Sequence, residues 1–213
     1  MKITILNSSI DHPVNSWLEA WVARNQEKHD VQILRSKQEL GEGDILFLIS
    51  CSEIISKTDR SKFRKTLIIH ASDLPRGRGW SPHIWEIING SELITLSLLE
   101  AEDKVDSGDI WKKMQVRIPK MAMYDQINKI IFDAELELMD FAVNNLFIVT
   151  PTKQTEENLT YWPKRSPDDS EVNIFKTLDE QFDLIRVCDP KRFPAFFYKN
   201  GKKFNIRIEA VDK

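Results

Sequence analysis

Short apolar runs and amphipathic stretches take turns along this chain. Lys2–Asn7, Asp30–Leu34, Asp44–Ser50, Lys65–Ala71 and Leu93–Leu99 are brief aliphatic segments bounded by polar or turn residues, and each predicts a strand. Helical spacing fills the gaps. Asn15 is placed to cap "SWLEAWVARNQ", in which Trp17, Leu18, Trp21 and Val22 share one face. Ser81-Pro82 opens "HIWEIING", with proline at an early helical position and Asn89-Gly90 as the stop. A longer helix is predicted from Tyr124 to about Leu146, apolar at Ile127, Ile130, Ile131, Ala134, Leu138 and Phe141. Strands alternating with helices predict an α/β fold, a mostly parallel sheet with helices on both faces.

The character changes near Thr150-Pro151, where "PTKQTEEN" is polar and aperiodic. Residues 1–148 are therefore expected to form the main domain, and 149–213 a loop and hairpin extension. "YWPKRSPDDSEVNIF" reads as a proline-punctuated loop, and "RFPAFFYKNGKKFNIRIEAV" as two strands around Asn200-Gly201, a strong hairpin signal. So few residues do not bury a core alone, so the extension is expected to pack on the main domain. The aromatics of "FPAFFY" suit that packing, and equally a homodimer contact.

Composition narrows the function. With 41% hydrophobic residues among 213, the chain can build a real core. Thirty basic against 33 acidic side chains leave a formal charge of -3, which draws in neither nucleic acid nor an anionic membrane. The opening apolar run, "ITIL", lacks the long core of a signal peptide, and no run of apolar residues is long enough to span a bilayer, so a cytoplasmic location is expected. Cys51 and Cys188 stand far apart and outside any CxxC pair, which argues against a disulfide framework or a metal site.

Candidate chemistry sits in "TLIIHASD". Alternation puts Ile68, His70 and Ser72 on one face of the strand, with His70 at its end, where ligands of parallel α/β sheets bind. A buried, hydrogen-bonded histidine would satisfy the same pattern. Downstream, "DSGD" reads as a tight turn carrying Asp106. An aspartate there can fix an imidazole's tautomer and stabilise its protonated form, although Asp and Gly also favour turns for local reasons alone.

Taken together, "HASDLPRGRGWSPHIWEIINGSELITLSLLEAEDKVDSGDI" resembles the core of the folate-dependent formyltransferases, whose members act on glycinamide ribonucleotide, methionyl-tRNA or nucleotide-linked amino sugars. That family has an H-x-S-x-L-P-x-x-R-G motif followed by a D-x-G turn at this spacing. "YWPKRSPDDSEVNIF" and "RFPAFFYKNGKK" resemble the region that follows its catalytic domain in the tRNA and sugar members. The resemblance implies a Rossmann-like domain that moves a formyl group from 10-formyltetrahydrofolate to a primary amine without a metal. His70 would be the base and Asp106 its orienting partner. One position departs from the family pattern. The triad is normally Asn-x-His plus Asp, and Ile68 stands where the asparagine would donate to the oxyanion. Ser72 and loop backbone N–H groups are the replacements at hand, and a catalytically silent binding relative is the other reading.

The resemblance also implies a pterin pocket formed by two loops, with Ser52, Ile54 and Ile55 on one and Glu102, Asp103 and Val105 on the other, largely through main-chain groups. Taken singly, Glu102 reads equally as part of a solvated acidic loop. For an anionic acceptor, Ser8, His12 and Asn15 lie in the loop before the first helix, Arg76 and Arg78 flank the candidate active strand, and Lys164 sits in the extension, where Lys164-Arg165 can instead pair with Asp168 or Asp169. Trp80, Trp85 and Trp162 suit stacking on a base or sugar ring, or simple packing. The acidic balance and a sequence that stops just after its hairpin set the expectation against methionyl-tRNA. A nucleotide-linked amino sugar is the expected acceptor, with the "HP-N" first loop most similar to formyltransferases of pseudaminic acid-type pathways.

Overall fold

The computed structural model describes residues 1–211. Its elements run β1 (Lys2–Leu6), α1 (Asn15–Asn25), β2 (Asp30–Leu34), β3 (Gly43–Leu48), α2 (Lys57–Arg60), β4 (Phe63–His70), β5 (Arg78–Gly79), α3 (Pro82–Ile88), β6 (Leu93–Glu100), β7 (Ile110–Arg117), α4 (Tyr124–Asn145), β8 (Tyr161–Trp162), α5 (Phe182–Arg186), β9 (Phe196–Lys199) and β10 (Lys202–Asn205). The first six long strands form one sheet in the order β2-β1-β3-β4-β6-β7. β2, β1, β3 and β4 are parallel, while β6 and β7 are joined antiparallel. This is the α/β fold that the alternating periodicities predict.

Alternation along the strands divides the core between two faces. Ile3, Ile5, Ile45, Phe47 and Leu67 join the larger cluster, against which Leu18 and Trp21 of α1 and Ile127, Ile131, Leu138 and Met139 of α4 pack. Two indole N–H groups fasten α1 to α4, Trp17 to Asp133 at 2.8 Å and Trp21 to Asp140 at 2.6 Å. The in-between residues Leu6 and Leu46 face a smaller cluster with Leu40, Ile55 and Phe63, carried by the segments around Lys37–Glu39 and α2.

Three details differ from the sequence expectation. Asn15 does not cap α1. Val14 holds that place, and the Asn15 amide turns back to donate to Ser9 O at 3.0 Å and Ile10 O at 2.8 Å. β7 escapes the apolar-run criterion because Lys112, Lys113, Gln115 and Arg117 interrupt it. It is an edge strand, where lysines deter pairing with other chains. The segment after Thr150 also begins inside the main sheet's reach, since Thr152 exchanges two 2.8 Å backbone hydrogen bonds with Ile110.

Further along, Asn200 and Gly201 both have positive φ (50° and 75°) in the β9–β10 turn, as an Asn-Gly hairpin requires. Val172, Ile185, Cys188 and Ala195 form a small cluster of their own, and the buried Arg186 donates to Ala122 O at 3.0 Å in the main domain.

Helix α4 carries a testable anomaly. The Glu135 Oε2 atom is buried with no hydrogen-bond partner among the described residues, and burial pushes the carboxyl up to about 8. The folded chain then holds a proton that the unfolded chain releases above its ordinary value of 4.5. Stability therefore falls as pH rises from there to about 8 and is level beyond. Glu135→Gln should change Tm little near pH ~5 and raise it at pH ~8.5. Equal shifts in thermal melts at both pH values would show that ionisation is not the cause.

Candidate active site

The carboxyl ends of β1, β3 and β4 lie at one edge, because Leu6 pairs with Leu48 and Leu48 with Ile68. The loops that leave them, from Asn7, Ile49 and Ala71, therefore meet above that edge. His70 ends β4 and is 7% exposed. Its Nε2 lies 2.8 Å from Gly77 O and 3.6 Å from Asp106 Oδ2. A carbonyl oxygen only accepts, so Nε2 bears the proton and the lone pair belongs to Nδ1.

Asp106 arrives from an unobvious direction. β6 runs antiparallel to β4, with Ser97 opposite His70 and Glu100 opposite Leu67. The loop after β6 thus leaves the sheet three residues short of His70 and must turn back. Two residues permit that path. Asp106 adopts φ 51°, a left-handed conformation that aspartate tolerates. Gly108 passes so close to Glu100 that a Cβ would lie 1.8 Å from the Glu100 carbonyl oxygen. Once there, Asp106 Oδ2 accepts from Gly79 N at 2.9 Å.

Ile68 is half-buried between Leu48 and Leu99 on the neighbouring strands. Ser72 is fully buried beneath the Gly77 turn, with its Oγ unpartnered among the described residues, so it does not open into the site as a replacement donor.

The other candidates divide clearly. Ser8 and Ser52 meet, with Ser52 N donating to Ser8 Oγ at 2.8 Å, which joins the loops after β1 and β3. His12 joins them too, 3.4 Å from Ser50 Oγ. Burial first and the Arg192 cation second push His12 down to about 4, so it is neutral at ordinary pH. Asn15 is committed to its own loop and to Arg35 Nη1 at 2.6 Å. Ile54 is exposed, whereas Ile55 packs into the smaller core cluster, so its side chain is not available to a ligand. Arg60 ties the two loops assigned to the pterin, donating to Ile55 O at 2.7 Å and Asp103 Oδ1 at 2.5 Å. Glu102 stands farther from Arg60, at 4.0 Å, and Val105 is exposed. Arg76 is exposed, but Arg78 is buried and donates to Gln154 Oε1 at 2.7 Å. Lys164 lies over the Trp80 ring at 4.7 Å, and Trp85 stacks on Trp162 at 5.8 Å, so these rings find partners within the chain.

Sequence reasoning missed several participants. His83 near the start of α3 is pushed down to about 4 by burial and then by His70 and His12, which places three of the chain's four histidines at this edge. From the extension, Arg192 donates to Asp11 O at 3.2 Å and to Asp189 Oδ2 at 2.6 Å; against the upward push of burial, the Arg192 N–H and guanidinium, the Lys191 N–H and the Tyr124 hydroxyl hold that carboxyl down at about 2. Thr160 Oγ1 accepts from Gly77 N at 2.8 Å. None of these stood out from the sequence as a site residue, although His83 falls within the "HASDLPRGRGWSPHIW" stretch, Thr160 directly precedes "YWPKR" and Arg192 opens "RFPAFFYKNGKK".

Comparison with known proteins bears on this arrangement. Residues 5–143 match the family model described as formyl transferase. The methionyl-tRNA formyltransferase of Natranaerobius thermophilus is 34% identical over 148 residues, which are 67% of this chain and 46% of that protein. The chain spans about half the length of the curated relatives it matches. A methionyl-tRNA formyltransferase structure from Clostridium thermocellum shares the fold with TM-score 0.81 at 23% identity, covering 100% of this chain and 94% of that one. A sugar N-formyltransferase structure from Shewanella sp. does so with TM-score 0.74 at 18% identity, covering 100% and 99%.

Proposed function

The chain belongs to the formyl transferase family, and from that premise we propose that it transfers a formyl group from 10-formyltetrahydrofolate to the amine of a nucleotide-linked amino sugar. The observation that carries the chemistry is the His70–Asp106 pair, 3.6 Å apart at the edge where parallel-sheet ligands bind. The folate would supply an activated formyl carbon. The residues present suit it. Arg60 holds the Ser52–Ile55 and Glu102–Val105 loops together, and each loop presents one exposed aliphatic side chain, Ile54 or Val105, to a flat heterocycle.

In this reading His70 Nδ1 takes the proton from the attacking nitrogen. The resulting imidazolium, its Nε2–H directed at Gly77 O and Asp106, faces the negative charge that grows on the formyl oxygen and afterwards returns the proton to the departing nitrogen. Ile68 contributes no hydrogen bond there. A missing donor of that kind costs about 2.7–4 kcal/mol of transition-state stabilisation, so more of the load falls on His70.

The sugar acceptor is supported by the net charge of -3, unsuited to a polyanion, while the fold is shared with sugar and methionyl-tRNA formyltransferases alike. Methionyl-tRNA is the second reading, favoured by the sequence relatives. The test is to incubate the protein with 10-formyltetrahydrofolate and, separately, UDP-amino sugars, dTDP-amino sugars and methionyl-tRNA. The expected result is a gain of one formyl group by a sugar nucleotide, read by mass spectrometry. Formylation of the tRNA alone would transfer the assignment to the second reading, and no product with any amine would overturn formyl transfer.

A further inference from the structure

Gln154 lies outside the segment that matches the family model, yet it occupies the junction between the two halves of the site. Its Nε2 donates to the carbonyls of both Asp106 and Gly108, at 2.9 and 2.8 Å, and its Oε1 accepts from the buried Arg78 guanidinium at 2.7 Å. Arg78 precedes Gly79, whose N–H holds the Asp106 carboxylate at 2.9 Å. One amide thus grips the returning turn by two carbonyls and the strand-end loop by its arginine. Beside it, Thr160 O accepts from Arg78 N at 3.0 Å and Trp162 O from Trp80 N at 3.2 Å, so β8 fixes the same loop from the other side.

We propose that Gln154 is the positioning residue that holds Asp106 against Gly79 and His70. The physical need for it follows from the path of the chain. The turn leaves β6 at the level of Leu67, and Asp106 sits at φ 51°, so no strand pairing of its own keeps the carboxylate at the end of β4. Without the Nε2 donor, two carbonyls lose their partner and the turn is free to relax toward the loop tip.

The first test reads Asp106 directly and does not depend on activity. The chain has seven glycines, and only Gly77 and Gly79 follow an arginine. Labelling arginine at its carbonyl carbon and glycine at nitrogen therefore isolates two amide signals by NMR, of which Gly79 is the one displaced by Asp106→Asn. Gln154→Met should displace the Gly79 signal in the same direction. Gln154→Glu keeps an acceptor for Arg78 but removes the donor to the two carbonyls, and it should displace the signal as well. An unmoved Gly79 signal in both variants would overturn the proposal. So would a Glu variant that matches wild type while the Met variant does not, since the Arg78 link alone would then do the holding.

The kinetic arm rests on the formyl-transfer reading. Each variant should lose about 10- to 100-fold in kcat with KM for the folate nearly unchanged, in protein that melts as a single transition. Unchanged kcat would overturn the positioning role. If His70→Gln retained wild-type turnover, the role of His70 as base would fail, and if no amine were formylated the formyl-transfer reading would fail; in either case the NMR result would stand by itself.

Discussion

His70→Gln should lower formyl transfer about 100- to 10,000-fold with little change in KM for either substrate. Glutamine keeps a donor for the Gly77 carbonyl, which now receives Nε2 at 2.8 Å, so the loop from Ala71 to Gly79 retains its anchor. In the proposed mechanism, what disappears is the lone pair that accepts the proton and the cation that follows. Asp106→Asn should fall in the same range, because an amide cannot stabilise that cation from 3.6 Å. The two losses should also combine to much less than their product, as expected of groups that act as a unit. Steady-state assays of both single variants and the double variant decide this. Additive losses would mean that the two residues work independently and that the distance between them has no catalytic meaning.

Gly108→Ala is the substitution with the largest expected effect on the fold around the site. An alanine Cβ would sit 1.8 Å from Glu100 O and 2.7 Å from Glu100 C, both backbone atoms of the adjacent strand. Neither yields without moving β6 or the turn. We expect a loss of at least about 3 kcal/mol, a fall in Tm of roughly 6–12 °C, and a drop in activity at temperatures where the variant is still folded. The activity loss should exceed the stability loss, because the strain is relieved by displacing the turn that carries Asp106. Circular dichroism melts with parallel assays suffice. A variant that melts as wild type would contradict the close passage of this turn over Glu100.

Much of the scaffold was legible because local patterns and tertiary demands agree. β2 spans Asp30–Leu34 as its apolar run predicts, α3 opens at Pro82 and gives way at Gly90, and Asn200-Gly201 makes its hairpin. β7 was not legible, since an edge strand interrupted by Lys112, Lys113, Gln115 and Arg117 carries little apolar signal. Asn15 misled because an amide at a helix start has two outlets, the helix N–H groups or the preceding loop, and Arg35 favours the second.

At the site, His70 and Asp106 stood out through motif spacing. Their meeting did not follow from strand order alone, because it requires a loop to reverse over an antiparallel neighbour. The burial of the Ile55 and Arg78 side chains was not legible, because it depends on packing that no single segment encodes. Gln154 and Thr160 were invisible for a related reason. Ordinary polar residues in a polar stretch acquire their roles only from the distant carbonyls and N–H groups that they meet.

The tether through Gln154, Thr160 and Trp162 bears on the timing of synthesis. A ribosome releases β1 through α4 before those residues, which follow the end of α4 in sequence, and domains assemble as their segments emerge. The nascent sheet can therefore close with its histidine in place while the aspartate turn is still unfastened, and in the proposed reading full turnover awaits the docking of residues 154–162.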